Sequence, residues 1–324
     1  MIKKYFIILF IFVFPQAYAQ DPIHTQFFMI PETLSSSFTG AKKSTRAGII
    51  HRTQWPGLNF SLNTQFAFVD NWFDKFNSGI GISVLNHQET TTRYSFTQVN
   101  LNYAYHFPIS SEWNARPSIS FGYGAKDFGF QNLLLEDQIN IFSGIINNTS
   151  IDLINLNDSV RFVDFSASVL FNSENSWVGL TFKHLNKPNI SMQFDGQSNL
   201  DMFMSLHSSI YVPTGNNYRN DYKLYILTNA MQQGDYNRLD LGAKYQMDTF
   251  SFALLAATNP NKVDPNSHFL TSINAFMGLD WEGFRFGYSY DFNMSDIGRT
   301  GGVYELSVIY DFDNKRCDFG CPDY

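Results

Sequence analysis

Between residues 47 and 312 apolar and polar side chains alternate with a period of two, in repeated stretches of roughly ten residues. Val99, Leu101, Tyr103, Tyr105 and Phe107 alternate with Asn100, Asn102, Ala104 and His106. Ile119, Phe121 and Tyr123 alternate with Ser118, Ser120, Gly122 and Gly124. The same rhythm runs through Leu239–Met247, Phe284–Asn293 and Tyr304–Phe312. In Leu58–Phe68, Leu58, Phe60, Leu62, Phe66 and Phe68 share one face, and Asn59, Ser61, Asn63 and Gln65 the other. A helix would rotate half of these residues off a common face, so period two means strand.

A half-buried soluble sheet also alternates. Two features favour a membrane. Aromatics close the ends of the apolar faces, as a girdle does. The charges Arg238, Lys244 and Arg285 fall on polar faces, whereas a cation at mid-depth against lipid costs about 2–4 kcal/mol. Composition agrees: aromatics reach 17% and charged residues only 16%, against about 25% charged in ordinary soluble chains. The expected fold is all-β, a transmembrane antiparallel up-and-down barrel with apolar faces on outer-membrane lipid and polar faces on the lumen.

The expected strands are 47–55, 58–69, 78–87, 94–107, 115–128, 160–171, 175–186, 200–212, 221–232, 236–247, 249–258, 268–281, 283–294 and 302–312. Their number is fourteen, even as in single-chain bacterial barrels. The parity of 160–171 and 249–258 breaks internally. With Gln20 in the periplasm, the odd connections face outward, among them 129–159, 187–199, 259–267 and 295–301. Connections 70–77 and 213–220 are long for periplasmic turns. Loop 129–159 carries Leu133, Leu134 and Leu135, then Ile139, Ile141 and Phe142. So much apolar surface should not stand free in water. It is expected to fold over or into the barrel, or to dock a partner protein.

The first residues read as an export address: Lys3 and Lys4, an apolar run Tyr5–Phe14, then Ala17-Tyr18-Ala19. Cleavage is expected between Ala19 and Gln20. The run is too short to span a bilayer as a helix. The expected organisation is a signal peptide 1–19, a periplasmic or lumen segment 20–46, a barrel 47–312 and a periplasmic tail 313–324. The formal charge is −7, and the two leader lysines take it to −9 when they leave. With no basic patch, nucleic acid is a poor partner. Cys317 and Cys321 are the only cysteines. A local bridge, a free pair and pairing with another chain remain alternatives.

Chemistry is sparse. The sequence has no phosphate loop and no dinucleotide fingerprint, so no cofactor is expected. The seven histidines are scattered without ligand spacing, and no metal site is expected. An outer-membrane hydrolase would assemble a Ser–His pair from different strands, though polar lumen residues such as Ser205 and His207 are common in any barrel. Glu305 sits on the polar face of the last strand, where pairing with an Arg on a neighbouring strand, such as Arg285, is expected.

Both ends resemble a known family. Gln20-Asp21-Pro22-Ile23-His24-Thr25-Gln26-Phe27 resembles the opening of the PorP/SprF type IX secretion membrane proteins. His51-Arg52-Thr53-Gln54-Trp55-Pro56-Gly57-Leu58 is similar to that family's Y-R-x-Q-W-x-G segment. Gly287-Tyr288-Ser289-Tyr290-Asp291 and Gly301-Gly302-Val303-Tyr304-Glu305 resemble its G-Y-S-Y-D and G-G-x-H-E segments. The ending Cys321-Pro322-Asp323-Tyr324 is similar to its C-P-R-F. This chain departs at Ser36–Gly40, where the family has N-P-A-x-A-G, at Tyr304 in place of His, and at Asp323 in place of Arg.

The resemblance implies a non-enzymatic outer-membrane component of the type IX secretion machinery of Bacteroidota, in some members serving gliding motility. Its implied partners are other secretion components and a large secreted or surface-adhesin protein with a C-terminal sorting domain. A narrow channel or uptake barrel is the alternative, and an outer-membrane hydrolase the third reading.

Overall fold

A computed structural model describes residues 20–58, 60–130, 133–140, 145–147, 150, 156–213, 222–260, 269–294, 300–313 and 322. The leader 1–19, Ile141, Phe142, Cys317 and Cys321 lie outside these residues. The barrel strands are β1 Arg46–Gln54, β2 Leu62–Phe73, β3 Ser78–Glu89, β4 Ser95–Tyr105 (continued by Phe107–Pro108), β5 Asn114–Asp127, β6 Ser159–Asn172 and β7 Trp177–Lys183. They continue with β8 Phe203–Val212, β9 Tyr222–Gln233, β10 Tyr236–Met247, β11 Phe250–Thr258, β12 Leu270–Trp281, β13 Phe284–Asn293 and β14 Val303–Asp311. Every strand pairs antiparallel with its neighbours in sequence, and β14 returns to pair with β1 from Arg46↔Asp311 to Gln54↔Val303. The sheet is therefore a closed barrel without a free edge, as a membrane-spanning sheet must be.

All fourteen expected segments are strands. The largest displacement is β2, expected at 58–69. The Leu58 N–H closes a turn on the Trp55 carbonyl, so Leu58 and Phe60 belong to the rim and pairing begins at Leu62. The long connection at 70–77 disappears because β2 runs on to Phe73. What remains is a short turn ending at Asn77 with φ 46°. The parity break in β11 has a cause: Leu255 and Ala253, on the inward parity, belong to the buried apolar core of the lumen, and the ladder to β12 slips by one residue only later, at Ala257/Thr258. The β12–β13 hairpin turns on Glu282 and Gly283, both at positive φ, as a type I′ turn requires.

The long connections (128–158, 184–202, 259–269, 294–302) share one end of the barrel, here the loop end, with 55–61, 90–94 and 234–235. The turn end carries 74–77, 109–113, 173–176, 213–221, 248–249 and 282–283, together with the start of β1 and the end of β14.

On most strands the apolar face is the outer wall. Leu101, Ile119, Leu254 and Leu306 are more than half exposed, while Asn102, Ser118, Ser120 and Ser307 are buried inside. β2 is inverted. Phe66 and Phe68 point inward and are buried, whereas Asn63 and Gln65 lie on the outer wall with Val69. The expected lipid face of β2 is thus its lumen face. The reason is what fills the lumen: residues 21–44 pass through it, and Phe66 and Phe68 pack against them.

Candidate functional site: a plug held at the barrel seam

The plug starts at the loop end. There the Asp21 N–H donates to Gln233 Oε1 (2.7 Å), and the Asp21 carboxylate meets His184 Nε2 at 2.9 Å. The segment descends past Glu305 and Ser289, then Ser118 and Ser168, and leaves at the turn end, where the Ser44 hydroxyl donates to Asp311. Gln20 and the odd connections therefore lie at the same end of the barrel. A periplasmic Gln20 and outward odd connections do not hold together. Parity follows from Arg46, where β1 begins, because the plug crosses the lumen first.

Two short 3-10 turns, Pro31–Thr33 and Ser36–Phe38, compact the plug. Proline suits the first position, where its missing N–H costs nothing, and Ser35 caps the second turn by accepting from the Ser37 N–H. The apolar run Phe27–Ile30 packs on Ile50, Phe66, Phe68, Leu227, Leu255, Phe276 and Ile309. Phe28 meets Phe276 edge-on at 4.9 Å, and Phe38 meets Trp177 at 5.1 Å. Burying each such side chain contributes roughly 1.5–3 kcal/mol.

The residues of the terminal motifs form three groups. The first is a buried cluster where β14 closes on β1. One Glu305 oxygen accepts the Thr25 N–H (2.8 Å) and the other the Gln26 N–H (3.0 Å). Arg52, opposite Glu305 in the ladder, donates to the first oxygen at 2.5 Å and approaches Asp291 at 3.5 Å. The Thr25 hydroxyl donates to Asp291, and the Gln26 amide spans Ser289, the Glu305 carbonyl and Ser307. Gly287 makes room, since a Cβ there would lie 2.6 Å from Gln26 Oε1. Removing one partner of such a buried pair costs about 3–5 kcal/mol, because the other charge is left stranded. The Arg partner of Glu305 is thus Arg52. Arg285 bonds Asp280 instead.

The second group ties the rim over this cluster. The Trp55 N–H donates to the Gly302 carbonyl and the Gly57 N–H to Thr300. Gly301 and Gly302 take φ 76° and 74°, a conformation that suits glycine. Tyr290 stands on the outer wall against Tyr304, its hydroxyl donating to the Gly301 carbonyl at 3.4 Å. The Gln54 side-chain Oε1 accepts from Arg52 at 3.4 Å.

The third group is Asp21 with His184. Burial opposes charge on both. The His184 charge and hydrogen bond, with Lys183 and Gln233, outweigh it for Asp21 and bring the carboxyl to about 2. The Asp21 charge, with the hydrogen bonds His184 donates to Asp164 and Asp21, outweighs it for His184 and lifts the imidazole to about 9. His184 Nδ1 contacts Asp164 at 2.9 Å, so the imidazolium is held between two carboxylates. Pro22 lines a cavity of about 60 Å³ beside the plug, with Ser83, Gln98, Asn102, Ser120 and Lys183. That space holds a few waters.

At the turn end Arg46 joins Glu32 of the plug to Asp70 of β2, and the Gly40 N–H donates to Asp70 at 2.7 Å. Gly40, with φ 65°, crosses β3 so closely that a Cβ on it would come within 2.7 Å of the Gly79 Cα. The final glycine of the departing Ser36–Gly40 segment thus has a steric reason.

Sequence reading missed His184, Gln233, Arg46, Asp70 and Asp164. The available signal was charge on an inward parity, which marks a residue needing a partner inside. Ser205 and His207 do meet, at 3.0 Å, but both are buried beneath the plug, where Phe38 and Trp177 flank the imidazole. Among the described residues no cluster of metal-ligating side chains occurs. In the long loop, Leu134, Ile139 and Ile146 are exposed and Leu133 and Leu135 half-buried. It is the N-terminal segment that occupies the lumen.

The family model of the type IX secretion system membrane protein PorP/SprF matches residues 16–310, which takes in the plug, the seam and the whole strand cycle. The chain belongs to the PorP/SprF family. As a member it is an integral outer-membrane barrel of type IX secretion. No curated protein matches it in sequence. Among solved structures it is similar to the P. putida toluene transporter TodX, with TM-score 0.50 and 7% identity over 87% of this chain and 92% of that one. It is also similar to the Acinetobacter baumannii outer membrane protein Omp33, with TM-score 0.45 and 8% identity over 84% and 100%. At such identities the TodX likeness is one of barrel fold alone.

Proposed function

We propose that this PorP/SprF barrel is a non-enzymatic platform of the type IX machinery that holds a large secreted or surface-adhesin protein during export or at the cell surface. The observation that carries the reading is the filled lumen. Residues 21–44 close the interior with an apolar core and three charged clusters, so the working surface is the rim. The loop end then faces the exterior, because long connections lie on that side in outer-membrane barrels. Its exposed Leu134, Ile139 and Ile146 suit an apolar contact with cargo. A C-terminal sorting domain on that cargo, a role in gliding, a Bacteroidota host, cleavage at Ala19–Gln20 and a Cys317–Cys321 bridge in a periplasmic tail belong to the same reading and rest on the family resemblance and the terminal sequences.

The test is a pull-down of the intact barrel from native outer membranes, beside a chain lacking 133–146. The expected outcome is recovery of secretion components and of one large surface protein by the full chain, with loss of the surface protein on deletion. Recovery of neither by an intact barrel would sink the proposal.

One observation favours the channel alternative. The plug is tied to the wall mainly by side-chain contacts, and none of its residues is in the strand ladder. Planar bilayers separate the readings: a platform stays closed, whereas large steady conductance marks a channel.

A further inference from the structure

The outer wall is not apolar all round. On β14, Tyr304, Leu306, Val308, Tyr310 and the following Phe312 face outward. At the rise and tilt of a membrane barrel they cover about 20 Å of height, most of an apolar band of about 25 Å. β1 lies beside β14 with Thr53 opposite Tyr304 and His51 opposite Leu306. Yet only Ala47 and Ile49 are apolar on the outer face of β1, a span of about 5 Å.

The polar row continues sideways. His51 is opposite Gln65, Gln65 opposite Asn86 and Asn86 opposite Thr97, on four consecutive strands. Asn63 extends it on β2, opposite Thr53. None of these side chains is buried by its own barrel. They bond one another in part: Thr53 to Asn63 at 3.1 Å, Gln65 to His51 at 3.4 Å and Asn86 to Thr97 at 2.8 Å. Among the described residues the Asn86 Oδ1 has no hydrogen-bond partner. Unpaired groups of this kind cost several kcal/mol each in hydrocarbon.

We propose that the loop-end half of the outer wall of β1–β3, beside the exposed Val69, Ile80, Ile82 and Val84 of its other half, is a lateral docking face for a second integral outer-membrane protein. Its own wall would supply uncharged hydrogen-bonding side chains. His51 and Thr53 stand level with the apolar Leu306 and Tyr304, so the face is reached within the plane of the membrane. It carries amides, hydroxyls and one imidazole and no Lys or Arg, which phosphate-bearing lipid headgroups would require. The small Ala47 and Ala67 beside it allow a second wall to come close. That the partner is a secretion component rests on the platform reading; the lateral face itself does not.

A photo-reactive residue placed in the full chain at Gln65, Asn86 or, as a control, Leu254 of the opposite wall tests the face in native outer membranes. Protein adducts containing another outer-membrane protein are expected at 65 and 86 and not at 254. Lipid or glycolipid adducts alone, or adducts of two copies of this chain alone, would overturn the proposal. Gln65→Leu with Asn86→Leu should lower co-purification of the partner at least tenfold while the barrel keeps its heat-modifiable migration. Unchanged recovery would count equally against it. Cross-linking from 65 or 86 to a membrane protein outside the secretion machinery would remove the platform reading and leave the lateral face standing.

Discussion

The two walls of the lumen hold one plug by different chemistry. On β1, β2, β9, β11, β12 and β14 the plug meets Ile50, Phe66, Phe68, Leu227, Leu255, Phe276 and Ile309, with the Arg52–Glu305–Asp291 cluster set among them. On β3–β6 it meets Ser118 and Ser168 through Ser36 and Ser37, and Arg116 through its Ser37 and Thr39 carbonyls, and the space beside Gln98 and Asn102 is a cavity that holds a few waters. Apolar area and a desolvated charge cluster fix the plug on the first side. On the second, hydroxyls and the buried Arg116 guanidinium hold it by hydrogen bonds beside that cavity. The difference teaches where the plug is held by apolar area and where mainly by polar contacts.

The strongest way to break the comparison is Glu305→Ala. It strands Arg52 and frees two plug N–H groups, so a loss of about 3–5 kcal/mol is expected, read as a lower unfolding midpoint of the purified barrel. Combining it with Arg52→Ala should cost clearly less than the two losses added. Additive losses would show that the cluster does not act as a unit. Phe28→Ala on the same wall should cost about 3 kcal/mol and open the lumen to small conductances in planar bilayers. A closed, equally stable variant would mean that the apolar contacts are dispensable.

The loop-end clamp is expected to be weaker and to depend on pH. His184 is raised from its ordinary 6.5 to about 9, so its share of stability is whole below 6.5 and is lost as pH rises through 9. Asp21 is lowered from 3.8 to about 2, so its share is whole above 3.8 and is lost as pH falls through 2. A spin label on Gln20→Cys should stay ordered between these limits and loosen above about pH 9. With Asp21→Asn the alkaline step should vanish, and its persistence would place the titrating group elsewhere. The smallest effect is expected on the polar wall: Ser168→Ala should cost about 1 kcal/mol or less, a small shift of the same unfolding midpoint.

How much of this was legible differs from residue to residue. The strands were, because period-two alternation is local and survives without knowledge of neighbours. The motif residues Asp21, Gln26, Arg52, Asp291 and Glu305 were legible as a set by resemblance, but not as one cluster. The ladder pairs Arg52 with Glu305 across 253 residues of sequence. Arg285, nearer to Glu305 in sequence, was the wrong partner because it pairs with Asp280 across the β12–β13 hairpin. Phe66 and Phe68 were the instructive miss, since alternation reveals two faces and is silent on which side an apolar environment lies.

The sequence by itself determined an even cycle of strands, its outer-membrane setting and the ends that mark the family. These follow from side-chain period and from a cost, burying charge against lipid, that each strand meets alone. Only the tertiary structure decided that the lumen is filled, that the N-terminal segment fills it, and that β2 turns its aromatics inward and leaves a polar row outside. Those outcomes depend on what lies opposite a side chain once the sheet has closed, and closure brings together residues that no local pattern relates.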